Sequence, residues 1–255
     1  MAQLRPLGQT GLRVSPLGLG TTKFGRNSEV KYPQPFDLPT DREILALLSQ
    51  AEQWGINLID TAPAYGTSEQ RIGEHLSNRE DWVIVTKVGE IFEGGVSRFD
   101  FSAEAIERSV TESLRKLQTD YLDVVLLHSS GDDLAILEET PALAVLESLR
   151  KAGAIRAIGA STKTVPGGLR AVELCDVVML ALSREDRTQW PVLEAARLAQ
   201  VGVLVKKPLA SGHDSDPSRA LAEVVQMAGV TSAVVGTLST EHLAANALAA
   251  GLKRS

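Results

Sequence analysis

The run Tyr121-Leu122-Asp123-Val124-Val125-Leu126-Leu127-His128 is apolar at nearly every position and ends on an imidazole. A strand with one face in water alternates polar and apolar residues. A strand apolar throughout is covered on both faces, as in a parallel sheet flanked by helices. Residues 140–152 follow with helical spacing and stop at Gly153, a residue suited to the left-handed position just past a helix. Residues 155–161 form the next apolar run. Residues 165–174 form the next helix, with Pro166 in its first turn. Residues 177–182 form the strand after it. This is strand, helix, strand, helix, strand, with short connections.

The same alternation extends in both directions. Upstream lie a long amphipathic helix over 102–117, a β-branched strand over 82–87 and a helix over 68–76 that Ser68 is expected to cap. Before these come a strand over 56–60, a helix over 40–54 and a strand over 16–20. Thr40 and Glu43 have capping-box spacing at the start of the 40–54 helix. Residues 7–12 read as a Gly-flanked hairpin turn. Downstream lie a helix over 191–200, a strand over 201–206, a helix over 218–228, a strand over 232–236 and a helix over 240–250. Eight strand–helix units in 255 residues predict an α/β protein. The expected form is a single-domain (β/α)8 TIM barrel over residues 1–255 with an N-terminal β-hairpin. An open doubly wound sheet is the alternative, but no Gly-x-Gly-x-x-Gly follows the first strand.

Composition narrows the function. A net charge of −6 argues against nucleic acid or an anionic membrane as partner. No apolar run is long enough to span a bilayer, and the opening MAQLRPLGQTGLRV has no signal-peptide core. The single cysteine, Cys175, has no internal disulfide partner and no His or Lys neighbour in sequence, so it reads as a structural thiol. These features lead us to expect a cytoplasmic protein. With no exposed apolar stripe evident, a monomer is expected.

In a (β/α)8 barrel, chemistry sits at the C-terminal ends of the strands. Four groups meet that criterion here: Asp60 ends strand two, Tyr65 lies in the loop after it, Lys87 ends strand three and His128 ends strand four. Each alone has an ordinary explanation as a cap, a loop aromatic, a surface lysine or a packed histidine. Together, on neighbouring strands, they form a coherent acid–base set. A phenol has a pKa of about 10. A lysine beside it stabilises the phenolate, and a carboxylate can hold that lysine in place. The imidazole can polarise a carbonyl while the phenol protonates the developing alkoxide. No metal-ligand cluster is expected.

At this point the chain resembles the aldo-keto reductase family. The matching segments are Gly18-Leu19-Gly20-Thr21, Leu58-Ile59-Asp60-Thr61-Ala62, Tyr65-Gly66-Thr67-Ser68-Glu69, Thr86-Lys87 and Leu126-Leu127-His128. Later come Gly159-Ala160-Ser161, Pro208-Leu209-Ala210-Ser211-Gly212, Val235-Gly236-Thr237 and Asn246. They run in family order along nearly the whole chain. The resemblance implies that Asp60, Tyr65, Lys87 and His128 are the catalytic tetrad. It implies an NADPH-dependent reduction of a small aldehyde or ketone, with NADH as the other possible donor. It also implies a cofactor site across the barrel mouth. Thr21 and Thr22 would contribute from just after the first strand, Asp60 would lie near the ribose, Ser161 near the carboxamide, Leu209, Ala210 and Ser211 along the pyrophosphate, and Thr237, Ser239 and Asn246 near the adenosine; Gly20, Thr162, Met179, Lys206, Pro208, Gly236 and His242 are further candidates for cofactor contact.

Several positions depart from the family pattern. Thr162 stands where Asn is usual, and Met179 where Gln is usual. Lys206 replaces an aromatic that commonly stacks on the nicotinamide. His242 stands where many members have a stronger base, and Ala245 where many have a carboxylate. A lysine cannot stack as a ring does, but Lys206 and its neighbour Lys207 can pair with a phosphate or a carboxylated substrate. The short 212–218 connection and the end of the chain at Ser255 lead us to expect a shallow, open pocket with Phe24 and Phe92 as walls. The reductase reading has two competitors. One is a cofactor-binding regulatory or interaction protein with little turnover. The other is a barrel lyase or isomerase, which would not use the cofactor loops.

Overall fold

The computed structural model describes residues 4–254. Eight parallel strands close into a barrel in chain order: β1 (Leu17–Gly20), β2 (Leu58–Asp60), β3 (Val83–Val88), β4 (Leu122–His128), β5 (Ile155–Ser161), β6 (Val177–Ala181), β7 (Gly202–Lys206) and β8 (Ser232–Val235). Closure is made by β8 on β1, with Ala233 opposite Leu17. A helix follows each strand: α1 (Asp41–Gln53), α2 (Ser68–His75), α3 (Ala103–Lys116), α4 (Ala142–Lys151), α5 (Val165–Leu174), α6 (Trp190–Ala199), α7 (Pro217–Gln226) and α8 (Thr240–Ala249). The expected (β/α)8 barrel is therefore present. The N-terminal hairpin is present too, pairing Arg5–Pro6 with Arg13–Val14.

Two apolar clusters make up the core. One lies between helices and barrel; Leu47, Ile72, Ile106, Leu146 and Leu221 belong to it. The other fills the barrel: Leu58, Val83, Val85, Val124, Leu126, Ala157, Val177, Met179, Leu204 and Val234. Leu7 and Val14 of the N-terminal hairpin join this inner cluster and plug its lower end. The hairpin approaches closely enough that a Cβ on Gly8 would overlap the Gly202 amide nitrogen at 2.4 Å, and Gly8 has φ +58.

Local chemistry sets the helix ends. The Thr40–Glu43 capping box forms as its spacing predicts. Ser102, Thr164, Asp216 and Ser239 cap α3, α5, α7 and α8. Gly153 has φ +86 past the end of α4. Ser68 differs from expectation. It is the first helical residue of α2, after Thr67, and its hydroxyl donates to Thr21 Oγ1 at 2.8 Å instead of capping the helix. Among the further elements are a short helix, Asp133–Glu138, before α4, and a hairpin of Glu90–Glu93 with Val96–Phe99 after β3. Its turn is Gly94-Gly95, both at positive φ, the two-residue connection that suits twisted antiparallel strands.

A buried carboxylate near the lower end is held by three donors. Asp123 has no solvent exposure, and it accepts from Arg79 at 2.7 Å, Arg156 at 2.9 Å and the Ile84 amide at 2.9 Å. It thereby ties β3, β4 and β5 together. Removing one partner from such a network costs about 3–5 kcal/mol. Asp123→Ala is expected to lower the unfolding free energy from urea denaturation by an amount in that range, read as a lower midpoint at unchanged slope, and Asp123→Asn by less. An unchanged midpoint for Asp123→Ala would show that the network contributes nothing to stability.

Candidate active site

The strand pleat aims the site. Side chains of a strand point alternately to opposite faces. Leu58, Val85, Leu126, Met179, Leu204 and Val234 all point into the barrel. The residues two positions on are Asp60, Lys87, His128, Ala181, Lys206 and Gly236, and they form the next inward layer at the C-terminal mouth. On β5 the same parity carries Ala157 through Gly159 to Ser161. A Cβ on Gly159 would collide with Leu126 and the Val177 carbonyl, so this layer is packed as tightly as an unsubstituted glycine allows.

Lys87 is almost completely buried and donates to Asp60 Oδ1 at 2.6 Å and to the Thr61 carbonyl at 2.8 Å. Its Nζ lies 4.7 Å from the Tyr65 ring centroid. Burial pulls the lysine pKa down, but Asp60 and Tyr65 outweigh it and the value ends above the ordinary one. Lys87 is therefore an ammonium at neutral pH. For Tyr65 the balance runs the other way. Burial raises the phenol, and Lys87 and Thr22 lower it without cancelling the rise. Lys87 stabilises the phenolate without bringing the phenol below its ordinary value: in the absence of a ligand Tyr65 is a protonated acid whose conjugate base Lys87 is placed to stabilise.

The His128 ring meets the Tyr65 ring edge-on at 6.4 Å. Its Nδ1 lies 2.8 Å from Glu90 Oε2. Burial opposes ionisation of Glu90, but His128, Ser97 and Arg26 hold the carboxyl down at about 2. Burial, with Lys87 and Lys206, lowers His128 despite Glu90. Glu90 was missed because the reading stopped at strand ends. The Glu93-Gly94-Gly95-Val96 turn signal would have revealed the hairpin that carries it.

The remaining candidates separate into those that face the mouth and those behind it. Thr21 is fully buried, and its hydroxyl donates to the Asp60 carbonyl at 2.9 Å, so its side chain supports Asp60 from behind and is not a ligand surface. Met179 lies in the inner core beneath the mouth. Phe24 is fully buried in the outer core and cannot be a pocket wall. Phe92 lies on the added hairpin, with the Arg26 guanidinium 3.4 Å from its ring centroid. Ser161 and the Thr162 carbonyl both accept from Lys206 Nζ, at 2.8 and 3.0 Å. Burial and the neighbouring lysines push Lys206 down to about 7. Pro208 is buried, Leu209 packs on the outer core, and Ser211 has φ +61. Ser239 is committed to α8, accepting from the His242 amide and donating to Glu241. Thr237 accepts from the Ser239 amide, His242 is exposed, and Asn246 is buried.

One aromatic wall comes from an unexpected place. Tyr32 lies in the long connection between β1 and α1, edge-on to Phe36 and 4.1 Å from Lys23 Nζ. A Cβ on Gly236 would come within 3.2 Å of its hydroxyl, and Thr22, Tyr65 and Asp60 all act on its ionisation. The segment thus reaches over the mouth. A separate depression of about 410 Å³, lined by residues that include Arg5, Arg13 and Leu252, lies at the opposite end and holds none of these groups. Cys175 is buried, and its thiol is pushed up to about 12 by that burial, as suits a packing residue.

This geometry can be set beside known proteins. Residues 16–216 match the aldo/keto reductase family. The chain is 32% identical over 231 residues to L-galactose dehydrogenase of Arabidopsis thaliana, covering 82% of this chain and 66% of that one. It is 35% identical over 171 residues to NADH-specific methylglyoxal reductase of Escherichia coli, covering 61% and 51%. It thus spans between half and two-thirds of the length of these two relatives. Among solved structures, a Pseudomonas aeruginosa aldo-keto reductase homologue is 51% identical with TM-score 0.89, over 97% of this chain and 93% of that one. The holo form of an aldo-keto reductase from Bacillus halodurans is 26% identical with TM-score 0.84, over 100% and 93%. With the fold, the ordered motifs and these relatives in agreement, the chain belongs to the aldo/keto reductase family.

Proposed function

We propose that this protein reduces an aldehyde or ketone to the alcohol with NADPH as hydride donor and Tyr65 as general acid. The observation that carries the proposal is the convergence of Asp60, Lys87, Tyr65 and His128, with Lys87 bonded to Asp60 at 2.6 Å beneath the phenol ring. The names of the relatives, a methylglyoxal reductase and a sugar dehydrogenase, belong to carbonyl–alcohol chemistry.

The chain's own residues suit a dinucleotide at the mouth. Gly20 and Gly236 leave a cradle between β1 and β8, where a Cβ on either would crowd its neighbours. Thr162 Oγ1 is buried with no protein partner among the described residues, and Asn246 is buried on α8. Lys207, Ala210 and Ser211 hold positive φ, a cost of the kind that persists where a loop clamps a ligand. When bound, the reduced nicotinamide supplies the hydride. NADPH is favoured over NADH by the exposed lysine at 207 and by His242 beside the α8 N-terminus, both suited to an added phosphate.

Tyr65 gives its proton to the carbonyl oxygen as the alkoxide forms, and Lys87 stabilises the phenolate that remains. Asp60 keeps Lys87 in place; Thr21 and Ser68 brace Asp60 from behind. His128 has a condition attached. A carboxylate oxygen cannot donate, so a neutral His128 facing Glu90 carries its proton on Nδ1. Nε2 can then donate to a carbonyl only when the ring is an imidazolium.

Tyr65→Phe is expected to lower kcat for NADPH-dependent reduction by about 10²–10⁴, with NADPH still quenching tryptophan fluorescence. Activity near wild type would remove Tyr65 from the acid role. Failure of both NADPH and NADH to bind the folded wild-type protein would instead favour a role without turnover.

The pH dependence follows from His128. Its pKa lies below the ordinary 6.5, so the imidazolium is lost as pH rises through that depressed value. Wild-type reduction is therefore expected to decline as pH rises, with the midpoint of the decline below the ordinary 6.5 of a histidine. In Glu90→Gln the amide can donate to Nδ1, leaving the proton of a neutral ring on Nε2, and the decline should flatten. A Glu90→Gln profile that superimposes on wild type would show that Glu90 does not govern the histidine. Glu90 also stabilises the fold while ionised: that contribution is complete above its ordinary 4.5 and is lost as pH falls towards about 2.

A further inference from the structure

The inward layer at the mouth contains two lysines on β3 and β7, four strands apart in an eight-stranded barrel. Lys87 has a carboxylate. Lys206 has none within ion-pair distance among the described residues. Its side chain passes Ala181, its register partner on β6, and reaches Ser161 on β5, next to His128 on β4. Both of its acceptors, Ser161 Oγ and the Thr162 carbonyl, are neutral. An ammonium offers three donors, so one proton has no protein acceptor in the described structure.

The surroundings deepen the imbalance. Lys207, Lys87 and Lys163 act on Lys206 with like charge. Asp133 is the one carboxylate that acts in the opposite sense, and its oxygens are taken up by the amides of Lys163 and Thr164 and the Thr164 hydroxyl. The Lys163 ammonium is turned to the Ser130 carbonyl. Glu90 faces His128 instead. Lys206 is half-buried, and a cation partly withdrawn from water without a counter-ion is a place where a ligand can supply the missing charge.

We propose that Lys206, with Ser161 beside it, is an anion subsite that takes a carboxylate or phosphate group of a ligand bound next to His128 and Tyr65. Taken with the reductase reading, on which this part rests, the subsite makes the substrate a carbonyl compound bearing a carboxylate, held so that its carbonyl faces the phenol. A phosphate of the cofactor is the other source of the same chemistry.

The test compares wild type with K206M and K206R, using succinic semialdehyde and butanal as aldehydes of equal chain length with and without a carboxylate. Wild type and K206R are expected to prefer the semialdehyde in kcat/KM by at least about tenfold, which corresponds to about 1.4 kcal/mol, and K206M to lose that ratio. An unloaded arm follows the melting temperature with oxalate, which should rise for wild type and K206R and stay fixed for K206M. If K206M keeps the aldehyde ratio but weakens NADPH binding by about tenfold, the anion is the cofactor's. Oxalate protection confined to wild type and K206R, in a protein that reduces neither aldehyde, would sustain the subsite and sink the reductase reading. Equal oxalate protection, equal NADPH affinity and equal aldehyde ratios in all three proteins would overturn the proposal. K206Q serves the same purpose if K206M does not fold.

Discussion

Successive side chains of a strand face opposite ways, and in a closed barrel one of those ways is a sealed interior. Each strand therefore sends every second residue into a column that begins among aliphatic side chains and ends at the mouth. Leu58 leads to Asp60, Val85 to Lys87, Leu126 to His128 and Leu204 to Lys206. The apolar half of each column locks the register, because a slip by one residue would turn the aliphatic set outward. The polar tip is thus placed by packing beneath it. Chemistry at the mouth and stability of the barrel share the same constraint.

That arrangement brings charges together in a site partly closed to water, where each must be answered. Lys87 is answered by Asp60, and Glu90 by His128, Ser97 and Arg26. The consequences differ by residue. Lys87 stays charged, Tyr65 stays protonated, and His128 is held nearer to neutrality. A protonated phenol over a fixed ammonium is an acid with a stabilised conjugate base. Lys206 is answered only by neutral oxygens, which sets it apart from the other charged groups of the layer.

The supports lie outside the strands. Thr21 and Ser68 form a hydroxyl chain behind Asp60, and Thr86 donates to the buried Glu69 on the outward side of β3. Glu90 comes from a hairpin, and Tyr32 from the connection between β1 and α1. A rigid barrel with a site partly furnished by its loops is the usual division of labour in this architecture.

Much of this was legible from residue order. Doubly apolar strands, the capping-box spacing at Thr40 and Glu43 and the glycine after α4 are local signals, and they determined the alternation and hence the barrel. The family motifs identified Asp60, Tyr65, Lys87 and His128 as a group before any distance was known. Local reading failed where a residue had two possible uses. Ser68 looks like a cap, but the nearness of Thr21, 47 positions away, turns it to the core. Phe24 looks like a wall residue but is packed away. The sequence by itself determined which groups come to the mouth, because strand parity and chain order are local properties. Only the tertiary structure decided their ionisation and their partners: burial and pairing across strands are set by residues far apart in the chain, and they leave no periodic signal in it.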